Sequence, residues 1–317
     1  MPQGSVLGPI LFLLYTADLI RLVEIRGLHP HLFADDMQIY GSCRPEETQT
    51  LMDRMSACIS DVAEWMQSNR LQLNMTKTEL LWCASSRQQH LTPNAPLRVC
   101  ADDVAPTKYV RDLGIYIDSD MSMKTHVSRT VSSCFAALRH IRSIRRSVCQ
   151  PVLLSLVTSL VLTRLDYGSV TLNGITKRLM DRLQSVLNAA ARLVHNSRKY
   201  DRISPLLRDL HWLRVSERIK FRLAVLVFRC RNQTAPNYLA RGLQWADTDD
   251  SRRRLRSATT QAARASHTTT NDRRPRLRRC CTARLERSAC RHRFCTVTGL
   301  AIFKHRLKTH LFGQSFS

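Results

Sequence analysis

A chain of 317 residues with 44% apolar content has material for about two domains with buried cores. Its formal charge of +24 is held unevenly: residues 1–120 carry 10 Lys and Arg against 15 Asp and Glu, net −5, and the remainder carries 39 against 10, net +29. No run of about 18 apolar residues predicts a membrane span, the start lacks the basic segment of a signal peptide, and eleven scattered cysteines predict reduced thiols in an intracellular, non-secreted protein.

Gly8-Pro9 marks a helix start, continued by Leu11, Leu14, Leu19 and Leu22 with Asp18 among them. Residues 31–41 read as strand, tight turn and strand. From Pro45 to about Asn69, Leu51, Met55, Ile59, Val62 and Met66 recur at helical spacing; Met52 and Trp65 widen the stripe and are expected in the core. Strands are predicted at Leu71 to Leu73, Glu79 to Ala84, Leu97 to Ala101 and Tyr109 to Ile117, with Pro93 and Pro96 in the loop between the middle two. Residues 1–120 therefore form an α+β layer.

Beyond Ser119 the texture is helical. Val127, Val131, Phe135, Leu138 and Ile141 make one stripe, Leu153 to Leu165 a second helix, Leu179, Leu183, Val186, Ala190 and Leu193 a third, and Ser216 to Arg231, capped by Ser216, a fourth. Residues 121–245 are thus expected to be all-α. Arg139, Arg142, Arg145 and Arg146 fall beside the first stripe, where they can meet phosphate, or simply form a solvated surface. Residues 246–317 read as a basic, largely disordered tail with a short C-terminal helix. Cys280, Cys281, Cys290, His292 and Cys295 have neither paired C-x₂-C nor knuckle spacing, so no zinc site is predicted.

The chemistry concentrates in Phe33-Ala34-Asp35-Asp36. Adjacent acids at a hairpin tip can be neutralised by a divalent cation, and equally can be a solvated turn. Cys100-Ala101-Asp102-Asp103-Val104 repeats Ala-Asp-Asp without a comparable setting and reads as an ordinary hairpin turn. The first pair instead follows Pro2-Gln3-Gly4-Ser5 and precedes Asn69 to Glu79 and then Leu113-Gly114.

That ordered set resembles the reverse transcriptases of non-LTR (LINE-type, jockey-like) retrotransposons. The resemblance continues through His211-Trp212-Leu213, Arg218-Ile219, Arg229-Cys230, Ala235-Pro236-Asn237-Tyr238-Leu239 and Phe303-Lys304. It implies a partial polymerase palm over residues 1–120 and a thumb-like, nucleic-acid-binding helical region over 121–245. Asp35 and Asp36 would be catalytic ligands of Mg²⁺, or Mn²⁺. Gln3 and Gly4 would line the templating pocket, Lys77 would lie near the dNTP triphosphate or be a solvated surface lysine, and Leu113 and Gly114 would shape the primer grip. RNA and DNA, as template and primer, are the implied partners, without a membrane, in the nucleus or cytoplasm.

The family's fingers and an upstream palm Asp do not precede Pro2, so weak metal binding and no isolated polymerase activity are expected. Arg254 to Ala258 and Leu300 to Phe312 resemble the family's C-terminal segment but the stretch between does not, which suggests compensating frameshifts in a decayed C-terminal copy. A non-catalytic basic RNA- or DNA-binding protein, and a transposon remnant without selected function, are the alternatives.

Overall fold

A computed structural model of the chain describes residues 7–99, 102–241, 243–245, 263–265 and 299–316. They form helices and small antiparallel sheets of two strands each, and divide into two compact units: residues 1–111 with 118–121, and residues 112–117 with 122–317. Among the described residues no helix is long and apolar enough to cross a membrane, and Cys43, Cys58, Cys83, Cys134, Cys149 and Cys230 are free thiols. Burial pushes the Cys134 thiol up to about 11, so it stays protonated and unreactive near neutral pH.

In the first unit, α1 (Leu7–Tyr15) and α2 (Asp18–Ile25) lead into the antiparallel strands β1 (His29–Phe33) and β2 (Asp36–Tyr40). The long helix α3 (Thr48–Ser68) follows a 3₁₀ turn begun by Pro45. One side of α3, with Leu51, Cys58 and Val62, packs against Leu19, Val23 and Leu28, and Met37, Ile39 and Trp65 close that cluster. Another side presents Met52 to Leu97 and Val99, so both Met52 and Trp65 serve the core. The strands β3 (Leu97–Val99) and β4 (Asp102–Val104) form the second hairpin.

Two predicted strands are corrected. Leu71 to Leu73 is irregular and runs into a 3₁₀ turn at Met75–Lys77, and Glu79 to Ala84 contributes one isolated bridge, Leu80 to Pro106. Their alternation anchors Leu73, Leu80 and Trp82 on the second cluster without a paired ladder. Tyr109 to Ile117 is two strands, β5 (Tyr109–Asp112) and β6 (Ile115–Asp118), because Leu113 and Gly114 turn the chain.

Helix α1 is apolar throughout, yet none of its residues is buried; Leu14 is 69% exposed. Tyr15 at its end donates a hydrogen bond to the Asn69 carbonyl at 2.7 Å.

In the second unit, α4 (Lys124–Ile144), α5 (Gln150–Val157), a π turn at Thr158–Leu162, α6 (Thr163–Asp166) and α7 (Lys177–His195) share one core. The predicted helix from Leu153 to Leu165 thus exists with a π turn inside it. Helix α7 is central: Leu179, Leu183, Val186, Leu187, Ala190, Ala191 and Val194 are buried, and each Leu or Val there contributes roughly 1.5–3 kcal/mol. The short α8 (Ile203–Asp209) leads to α9 (Val215–Arg231) and α10 (Asn237–Arg241). Ser216 does not cap α9, which begins at Val215; its hydroxyl donates to Glu217 instead. The short strands β7 (Leu243–Trp245) and β8 (Ala263–Ala265) pair antiparallel.

Helix α11 (Leu300–Phe316) sets Phe303, Leu307 and Leu311, spaced four apart, against α9, with Phe303 stacked on Phe228 at 4.1 Å. Trp212, Leu213, Ile219, Cys230, Ala235 and Phe303 are all buried, so these six serve packing. The Cys280 to Cys295 cluster and nearly all of the Arg-rich stretch lie outside the described residues.

Candidate functional site

The acidic hairpin is fixed by its register. Phe33 pairs with Asp36, His31 with Gln38 and His29 with Tyr40, so these six share one face; Pro30, Leu32, Met37 and Ile39 share the other, where Met37 and Ile39 meet the core. Ala34 and Asp35 are the two turn residues. Ala34 is left-handed (φ +54°) and Asp35 is not, the sign pattern of a type II′ turn whose first position favours Gly. Holding Ala there costs roughly 1 kcal/mol. Ala34→Gly is therefore expected to raise stability by up to about 1 kcal/mol in denaturant titrations, and a loss would show that the methyl group packs usefully.

Both acids are exposed, and neither carboxylate has a hydrogen-bond or ion-pair partner among the described residues. The second Ala-Asp-Asp differs by one place. There Val99 pairs with Asp102, so Asp102 and Asp103 belong to β4 and the expectation of acids in the turn is corrected. Asp103 also meets Arg98 at 3.4 Å. Only the first motif puts a carboxylate in the turn itself.

The remaining predicted residues are distributed as follows. Lys77 ends the 3₁₀ turn Met75–Lys77 and is exposed, with no ion pair among the described residues. Gln3 and Gly4 lie outside them. Leu113 (φ +43°) and Gly114 (φ +84°) form the β5–β6 turn with two left-handed residues, as a type I′ turn requires.

Sequence reasoning missed what holds that turn. The Tyr167 hydroxyl donates to the Leu113 carbonyl, and a Cβ on Gly114 would stand 3.2 Å from the Tyr167 ring. Gly168 (φ +61°) lies so close to Ile115 that a Cβ would meet its Cδ1 at 2.6 Å. Tyr-Gly directly after an apolar helical run was the available signal, a left-handed helix stop. Gly168→Ala should lower stability by about 1–3 kcal/mol; partial recovery in a Gly168→Ala, Ile115→Val double variant would locate the clash.

Asp166 precedes this pair. Both of its oxygens accept from Arg218, and Arg222 approaches at 2.9 Å, so two guanidiniums of α9 fix the end of α6. With the turn beside it, α6 links α9 to the β5–β6 tip.

Residues 1–128 match the family described as reverse transcriptase (RNA-dependent DNA polymerase). A probable RNA-directed DNA polymerase from transposon BS of Drosophila melanogaster is 28% identical over 237 residues, covering 69% of this chain and 25% of that protein. The likeness therefore extends past residue 128 into the helical unit, and the chain spans about a quarter of the relative's length. No solved structure matches.

Proposed function

We propose that the chain is the palm and thumb portion of a LINE-type RNA-directed DNA polymerase, with Asp35 and Asp36 as its metal ligands. The observation that carries this is a carboxylate without a partner among the described residues, held at a strained hairpin tip within the segment matched by the reverse transcriptase family. Two exposed carboxylates offer the hard oxygen donors that Mg²⁺ or Mn²⁺ takes. When bound, such an ion lowers the pKa of a primer 3′-hydroxyl and neutralises the departing pyrophosphate. Asp35 would hold it from the turn and Asp36 from the first strand position; Gln3 and Gly4 would position template and nucleotide, and Lys77 the triphosphate. Leu113 and Gly114, held by Tyr167, would seat the primer.

Two-metal phosphoryl transfer shares ions about 3.5–4 Å apart among several carboxylates. Among the described residues no third His, Cys, Asp or Glu joins this pair to make a metal cluster. The bare apolar α1 in the same unit also suits a polymerase whose remaining parts lie elsewhere. The chain alone is accordingly proposed to be inactive. The test is primer extension on RNA with dNTPs and Mg²⁺ or Mn²⁺: none is expected from the chain alone, and template-dependent extension once the upstream polymerase region of a related element is fused to it. Extension by the chain alone contradicts the inactivity; no extension by a folded fusion contradicts the polymerase reading.

The charge distribution supports a second function for the helical unit, sequence-tolerant binding of RNA or DNA. Residues 121–165 contain no Asp or Glu.

A further inference from the structure

The end of the second unit where α4 and α7 finish has a feature that packing does not explain. Tyr200 is 91% exposed, on a loop between α7 and α8, with Arg198, Lys199 and Arg202 around it, all exposed. An aromatic ring left in water loses the burial that normally retains it.

The loop is nonetheless built. Asn196 takes a left-handed conformation (φ +55°) that ends α7, and Ser197 N–H donates to the Arg192 carbonyl at 3.0 Å. Arg198 N–H donates to Asp201 Oδ2 at 2.6 Å, Asp201 N–H donates back to the Arg198 carbonyl at 3.2 Å, and Arg192 reaches the Asp201 carbonyl. Tyr200 is thus carried on a closed turn. Arg145, at the end of α4, donates to Asn196 Oδ1 and brings Arg146 to the same end of the unit. From Arg182 to Tyr200 the sequence has no acid, and Asp201 spends its carboxylate on the turn.

We infer that this end of the helical unit is a binding surface for single-stranded nucleic acid, with a base stacked on Tyr200 and phosphates held by Arg145, Arg146, Arg198, Lys199 and Arg202. A stacking ring flanked by cations is the arrangement that holds a single strand without reading its sequence. A duplex keeps its bases stacked internally and offers the ring nothing but its ends. The inference rests on the nucleic-acid reading of the helical unit and does not involve Asp35.

The test uses the full chain and fluorescence anisotropy with labelled oligouridine, oligothymidine and a hairpin duplex of about 12 nucleotides per strand. Tyr200→Ala should weaken both single strands roughly 5- to 100-fold and leave the duplex unchanged, while Tyr200→Phe, which keeps the ring, retains wild-type affinity. Arg198→Ala and Lys199→Ala should each reduce the slope of log affinity against log salt by about 1. Circular dichroism checks that each variant folds. Unchanged single-strand binding by Tyr200→Ala, an equal loss for duplex, or failure of Phe to substitute would overturn the inference. Such a failure beside Asp35-dependent extension removes this surface alone; Tyr200-dependent binding without extension removes the polymerase reading alone.

Discussion

In the fusion proposed above, Asp35→Asn is expected to reduce primer extension at least about 10³-fold, while Asp102→Asn leaves it within about twofold; losing the proposed metal ligand would remove several kcal/mol of transition-state stabilisation. The two acids stand in the same Ala-Asp-Asp string, both exposed on short hairpins. They differ in position: Asp35 belongs to the turn and has no described partner, whereas Asp102 is a paired strand residue beside the Arg98 to Asp103 contact. Asn keeps the size of the side chain and removes the charge, so a folding defect is not expected. Extension rates at saturating dNTP, measured for both variants, decide the matter. Equal loss in both, or none in Asp35→Asn, would overturn the proposed metal site on the first hairpin.

The second large effect is on stability. Asp166→Ala should cost about 3 kcal/mol, because Arg218 and Arg222 are left side by side with no counter-charge at a largely buried position; the Asp166 and Arg218 side chains are 14% and 18% exposed. The half-exposed Arg222 keeps the loss at the lower end of that range. In thermal denaturation the midpoint should fall by roughly 6–12 °C. Pairing Asp166→Leu with Arg218→Met should recover most of this, since apolar contact can replace a buried ion pair. A double variant as unstable as Asp166→Ala would mean that the charges themselves are required. The loss should also loosen the Leu113–Gly114 tip, readable as faster amide exchange there.

Helical stripes were legible because period 3.6 survives in any long amphipathic segment: Val127, Val131, Leu138 and Ile141, like Leu179, Leu183, Val186 and Ala190, are buried as their spacing requires. Strands were less so. Leu71 to Leu73 and Glu79 to Ala84 have the apolar residues of strands, but no neighbour offers them a ladder, and pairing is a property of two segments. The acidic hairpin could be read from alternation about its turn, yet its one-residue register difference from Asp102-Asp103 could not, because the tripeptides are identical. Nor could the hold of Tyr167 on Leu113, which joins residues 54 apart in sequence.

That register has a hereditary consequence. A turn placed by strand pairing is shifted by inserting one codon in the first strand, and the shift carries Asp35 from the tip to a paired strand position. The string Ala-Asp-Asp would survive such an event unaltered. A hairpin can therefore lose its turn-borne acid while still spelling Ala-Asp-Asp, and the count of residues between the Leu28 anchor and Ala34 is a better gauge of the tip's geometry than the acids themselves.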